Sequence, residues 1–168
     1  MKVPDECLKW IVLHRTHLYV RSIEEDFNGM EPYLPSECSS ILDIGCGMAG
    51  IDVLLARRYP HAQLHLLDGD GDESNFRGGM KPSMLPFNSR GAADQLLAAN
   101  GVTKQVWHDI GTQDLKADLV ISLLSWGWHY PLETYRVRAK TTIADVREKR
   151  AGTCILVHPN FKGYRYVW

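Results

Sequence analysis

Apolar positions along this chain change period several times, and each change marks an element. Over residues 4–28, Leu8, Ile11, Val12, Leu18, Tyr19, Ile23 and Phe27 recur at helical spacing. Pro4, Asp5 and Glu6 suit a first turn, and Asn28-Gly29 is a stop signal. "EPYLPSECSS" then reads as a connection broken by Pro32 and Pro35. "SILDIG" reads as a buried strand of a parallel sheet, and "MAGIDVLLARRY" as the helix after it, ended near Pro60. "AQLHLLD" is a second strand, and "SRGAADQLLAANG" a helix closed by Asn100-Gly101. "TKQVWHDI" and "ADLVISLLSW" are the third and fourth strands. Residues 132–150 read as a helix, although the β-branched Thr141, Thr142 and Ile143 weaken that reading. "GTCILVHP" is a fifth strand, and "GYRYVW", with Tyr164, Tyr166 and Trp168 at period two, adds a sixth.

Strands alternating with helices predict a single α/β domain over 1–168, with a helical region at 1–38 and a core at 39–168. The core is expected to be a doubly wound, mostly parallel, Rossmann-like sheet with helices on both faces. Ligands bind such sheets beyond the carboxyl ends of the strands. That gathers the loops after Ile44, Asp68, Ile110 and Leu124 around one site. The stretch 69–88 is rich in Gly, Pro, Asp, Ser and Asn and carries Phe76, Met80, Met84 and Phe87, so it reads as a long loop able to act as a lid.

The chain has 168 residues, 45% of them hydrophobic, enough for one core. Its formal charge of −1, from 19 basic and 20 acidic side chains, argues against a broad nucleic-acid surface. Cys7, Cys38, Cys46 and Cys154 have no zinc-ligand spacing and read as free thiols in a reducing compartment. No apolar run approaches the roughly 20 residues of a membrane span, and "MKVPDECLKW" lacks a signal-peptide core. The expectation is a cytoplasmic protein that does not engage a membrane.

Gly45, Gly47 and Gly50 match the dinucleotide shorthand Gly-x-Gly-x-x-Gly. Asp43, two residues ahead, changes its meaning. A pyrophosphate would sit on the helix N-terminus, where Asp43 repels it and attracts an ammonium group instead. Asp68, 23 residues after Gly45, ends the second strand, where a carboxylate can accept both ribose hydroxyls of a nucleoside. The two acids suit a ligand with a ribose at one end, a cationic amino group at the other and no phosphate. S-adenosylmethionine fits.

"LDIGCGMAG" followed by "LHLLD" resembles the first two motifs of the class I S-adenosylmethionine-dependent methyltransferases. "ADLVISLLSWGWHY" is similar to that family's fourth-strand motif and "AGTCILVHP" to its fifth strand. "HRTHLYVRSIEEDF" and "SLLSWGWHYPLETY" more weakly resemble small bacterial and phage-type sugar O-methyltransferases. The resemblance implies an enzyme that methylates a small hydroxylated acceptor. It places Asp43, Gly45 and Gly47 beside the methionine part of the cofactor, with Cys46 in the same loop as a packing residue. Asp68 takes the ribose hydroxyls, His108 and Asp109 lie near the adenine, and Ser125 and Trp126 lie beside the sulfonium. Ala49 stands where the family's third glycine usually falls, a departure that reads as harmless. After Pro159 only nine residues remain, which predicts loss of part of the family's C-terminal strand pair and an edge open to another copy of the chain.

"SWGWHYP" concentrates Trp126, Trp128 and Tyr130, whose faces favour a sulfonium or stack on a sugar. His129 is the candidate general base for an acceptor hydroxyl. The amino-methyltransferases' Asn/Asp-Pro-Pro-Tyr is replaced by Ser125-Trp126-Gly127-Trp128, which argues against methylation of a base amino group. Asp70 and Asp72 extend an acidic run after Asp68, but Gly79 stands where an EF-hand needs glutamate, so no metal is expected. His14 and His17 share a helix face without a third ligand; His17 or Arg21 could reach the cofactor instead. Two rivals stand beside the methyltransferase reading: a module that binds the cofactor without methyl transfer or uses it otherwise, and a nicotinamide-dependent oxidoreductase, which Asp43 opposes.

Overall fold

The structure, a computed structural model, describes residues 1–10, 16–69, 89–123, 125, 136–145, 155–158 and 165–167. A 3-10 helix over Asp5–Trp10 leads to helix α1, Thr16–Met30. The helix expected over 4–28 is thus two helices of different kinds, with residues 11–15 outside the described set. Asn28-Gly29 does not stop α1. The helix runs one residue past Gly29 to Met30, which is fully buried, and Pro32 then turns the chain into a short 3-10 segment, Glu31–Tyr33. Strand β1, Ser40–Ile44, helix α2, Gly50–Arg58, and strand β2, Gln63–Leu67, follow. Helix α3, Arg90–Ala99, starts on Ser89, whose hydroxyl accepts the Ala92 N–H at 3.3 Å, an N-cap bond. Strands β3, Gln105–His108, and β4, Leu115–Ser122, complete the expected run.

Among the described residues the sheet has seven strands in the order β3-β2-β1-β4-β5-β6-β7, with β5 at Val137–Asp145, β6 at Ile155–His158 and β7 at Arg165–Val167. The first five run parallel, and β6 and β7 are antiparallel to their neighbours. Two expectations fail here. Residues 137–145, expected to be helical, form β5: Val137 is buried, Arg138 and Lys140 are exposed, and the β-branched Thr142 and Ile143 are buried again. Strand patterning and β-branching outweighed the helix-forming residues around them. The antiparallel pair is also complete, because taking β5 from the supposed helix frees "ILVH" and "RYV" to serve as β6 and β7.

Register partners share a face, so Ile41, Leu64 and Leu119 point one way, as do Asp43, Leu66 and Ile121. Helices α1 and α2 cover Ile41, Leu64, Leu119, Ile121 and Ile143, while α3 covers Leu66 through Ala92, Ala93, Leu96 and Leu97. The opposite face buries Leu42, Ile44, Leu67 and Val120, and among the described residues no helix packs there. Most of the β4–β5 connection lies outside the described residues. No described helix is long and apolar enough to cross a membrane.

Candidate functional site

The backbone leaves β1 through three left-handed residues: Gly45 (φ 79°), Gly47 (φ 55°) and Ala49 (φ 55°). The two glycines take these angles without steric cost. Ala49 does not, so it is not the neutral replacement the sequence suggested; a left-handed alanine costs roughly 1–2 kcal/mol. The loop is tied to the end of β2 at two levels. Gly45 N–H donates to the Leu67 carbonyl at 2.7 Å. Gly47 N–H donates to Asp68 Oδ2 at 2.6 Å, and Gly69 N–H to Oδ1 at 2.7 Å. Each oxygen of Asp68 therefore holds a backbone donor, and the carboxylate is fixed in orientation.

Strand β4 closes the loop from the other side. Ser122 Oγ donates to the Ile44 carbonyl at 2.7 Å. Ser125 is buried against the loop so closely that a Cβ on Gly45 would lie 2.0 Å from its Oγ. The structure thus brings Asp43, Gly45, Cys46, Gly47, Asp68 and Ser125 together, as expected. Gly50, the first residue of α2, is small for a different reason: a Cβ there would lie 2.2 Å from the Tyr19 hydroxyl. Tyr19 leans from α1 over the start of α2 and takes a backbone hydrogen bond from Gly50. Burial first, then Asp52, holds its phenol well above the ordinary value. Sequence reasoning counted Tyr19 only as an apolar helix position. Tyr19→Phe leaves the Gly50 N–H without that acceptor and should lower stability by about 1 kcal/mol, read from the urea midpoint.

The loop sits on a concentration of acid. Asp43 is 2% exposed and Asp52, in the first turn of α2, is 0% exposed. Burial raises the Asp43 carboxyl well above its usual range, and Asp52 and Asp68 raise it further. Burial likewise raises Asp52, to about 7. The Cys46 thiol is pushed well up by burial and by Asp43, Asp68 and Asp52, so it is a neutral packing group and not a thiolate nucleophile. Asp52 was missed because one acid in a helix's first turn reads as a partner of the helix dipole.

At the ends of β2 and β3, Arg90 is the organising residue. One guanidinium nitrogen donates to the backbone carbonyls of Asp68 (2.9 Å) and His108 (3.0 Å), and the other lies 3.0 Å from Asp109 Oδ1. The guanidinium also lies over the Trp107 ring, 5.4 Å from its centroid. Asp109, assigned by resemblance to the adenine, has a side chain 88% exposed and paired with Arg90. His108 Nε2 lies 3.0 Å from His65 Nδ1, and both imidazoles are held below the ordinary histidine value, chiefly by burial.

Trp126, Trp128, His129 and Tyr130 lie outside the described residues, as do His14, Asp70, Asp72 and the four apolar residues of the 69–88 loop. His17 is exposed, and Arg21 pairs with Glu25 at 2.7 Å on α1. Among the described residues Cys7, Cys38 and Cys46 are free, and no group of three metal-ligating side chains occurs.

No family model matches the chain, and neither does any curated protein. Among solved structures it is similar to the plantazolicin methyltransferase BpumL in complex with SAH, at 16% identity, a TM-score of 0.42 and 83% of this chain against 47% of that one. It is also similar to a protein assigned as a sarcosine dimethylglycine methyltransferase from Galdieria sulphuraria, at 11% identity, a TM-score of 0.35 and 73% against 41%. The chain thus spans under half the length of these two structures, and likeness of this degree bears on neither ligand nor reaction.

Proposed function

We propose that this chain binds S-adenosylmethionine on the glycine loop and transfers its methyl group to a small hydroxylated acceptor, a sugar being the class favoured by its weaker resemblance. The observation that carries the reading is the Asp68 carboxylate, held by Gly47 and Gly69 at the carboxyl end of β2 beside a loop that turns on two left-handed glycines, Gly45 and Gly47. A nucleoside's ribose hydroxyls are the donors such a fixed acceptor suits. The buried acids under the same loop disfavour a pyrophosphate, which weighs against the nicotinamide reading, and suit a ligand with a cationic end.

When bound, the cofactor supplies an already activated sulfonium methyl. The chain's task is then alignment and exclusion of water. Asp68 fixes the ribose, the turn through Gly45 and Gly47 lays backbone beside the methionine part, and Ser125 fills the space against Gly45. For the acceptor side we assign Trp126 to the sulfonium and His129 to the acceptor hydroxyl as base. His108 lines the adenine end with Asp109, which would exchange its exposed Arg90 partner for the adenine amino group.

Titration calorimetry with S-adenosylhomocysteine is expected to give micromolar binding. Silence up to millimolar ligand would end this reading. Incubation with methyl-labelled cofactor and a panel of sugars should label at least one hydroxyl; label on amines alone would replace the acceptor class.

A further inference from the structure

Asp43 and Asp52 come from different elements and meet beneath the glycine loop. Asp43 lies one residue before the end of β1, and Asp52 sits in the first turn of α2. Oδ1 of Asp43 and both oxygens of Asp52 are buried, and among the described residues no side chain other than the facing carboxyl group bonds them; Asp52 has in addition only its own backbone N–H. The titratable groups facing them are Asp68 from β2, Cys46 from the loop and Tyr19 from α1, with Cys7 behind Tyr19. None is a cation, and among the described residues no lysine, arginine or histidine pairs with either acid. Two ionised carboxylates side by side in such a place would be prohibitively costly. One proton between them turns one into a donor and the other into its acceptor.

We propose that Asp52 is a positioning residue that shares one proton with Asp43, and that the pair releases this proton to solvent when a ligand's cationic end seats beside Asp43. The O–H bond of the carboxyl breaks, the proton passes to the buffer, and the ligand's ammonium keeps its protons and pairs with the new carboxylate. The release rests on the ligand-facing role of Asp43 under Proposed function; the shared proton does not. Burial favours the protonated form of both groups, and the hydrogen bond between them raises Asp43 while lowering Asp52, which places the proton on Asp43.

The folded protein therefore holds a proton that the unfolded chain loses near pH 4. The pair's contribution to stability is largest at low pH and falls through a window that opens near pH 4 and runs past about 7, since Asp52 titrates near 7 in the fold and the proton on Asp43 is held well above the usual carboxyl range. A one-proton difference makes the unfolding equilibrium constant rise about tenfold per pH unit across that window.

Urea unfolding of the wild type and of Asp52→Asn from about pH 5 to 8 tests this. The asparagine amide donates to Asp43 without titrating. The ratio of wild-type to variant unfolding constants should rise about tenfold per unit across this range. Asp43→Asn, with the roles exchanged, should behave likewise. Parallel curves for the wild type and either folded variant overturn the shared proton. So does the absence, in the wild type at pH 6, of the infrared carbonyl band of a protonated carboxyl. Calorimetry with S-adenosylhomocysteine at pH 6, in buffers of different ionisation enthalpy, should count about one proton released by the wild type and none by Asp52→Asn. Binding without release overturns the coupling. No binding at all overturns the proposed function, while the unfolding curves still decide the proton.

Discussion

Asp68→Ala should weaken binding of S-adenosylhomocysteine by at least about a hundredfold. The carboxylate is held at two points by Gly47 and Gly69, so it presents one geometry to a ribose. A hydrogen bond to a charged acceptor contributes about 1.5–3 kcal/mol, and two ribose hydroxyls would lose about 3–6 kcal/mol together. At about 1.4 kcal/mol per tenfold, that is two to four orders of magnitude in the dissociation constant. The variant also strips the loop's own tie, because the Gly47 N–H loses its partner. Urea unfolding run beside the calorimetry separates the two effects. Asp68→Asn should fall between wild type and alanine, since its amide keeps one acceptor but turns a donor toward a backbone N–H. Unchanged affinity in Asp68→Ala would remove the ribose assignment.

Gly45→Ala should destabilise the protein by about 2–5 kcal/mol, a large part of the 5–15 kcal/mol typical of a domain. Two costs add. A left-handed alanine at φ 79° loses roughly 1–2 kcal/mol, and forcing extra volume into a packed site costs typically 1–3 kcal/mol. The second cost is expected in full, because the new Cβ would lie 2.0 Å from Ser125 Oγ and 2.1 Å from its Cβ, and Ser125 is buried. Ser125→Gly in the same molecule removes the collision and leaves the backbone cost. The double variant should therefore recover part of the loss relative to Gly45→Ala. A wild-type urea midpoint for Gly45→Ala would mean that β4 does not approach the loop this closely.

The half of the molecule from Ser40 to Ser122 was largely legible in the sequence because its signals are local. A short apolar run, a glycine turn and a capped amphipathic helix each announce themselves within about ten residues. The acids at Asp43 and Asp68 were legible for the same reason: each sits at a strand end fixed by its own neighbours. Residues 137–145 were not. "VRAKTTIA" lies between stretches of helix formers, and its strand state depends on pairing with β4, some twenty residues earlier in the chain, and with β6, later in it. Asp52, Tyr19 and Arg90 were missed for a related reason. Each looks ordinary on its own helix, as a first-turn acid, an apolar-face aromatic and a helix-starting base. Each acquires its role only from a residue on another element: Asp43, Gly50 and the paired carbonyls of Asp68 and His108. Ala49 was misjudged because composition says nothing of the sign of φ.

The clasp made by Arg90 has a consequence for how this architecture can diversify. Two of its partners are main-chain carbonyl groups, which every amino acid carries. Arg90 therefore joins two strand ends without regard to the side chains there, and it does so at the exit of the 69–88 segment, whose entry is Gly69. Because main-chain carbonyls accept these bonds, substitutions at Asp68 or His108 change the side chains at the strand ends while the junction between β2 and β3 keeps its tie.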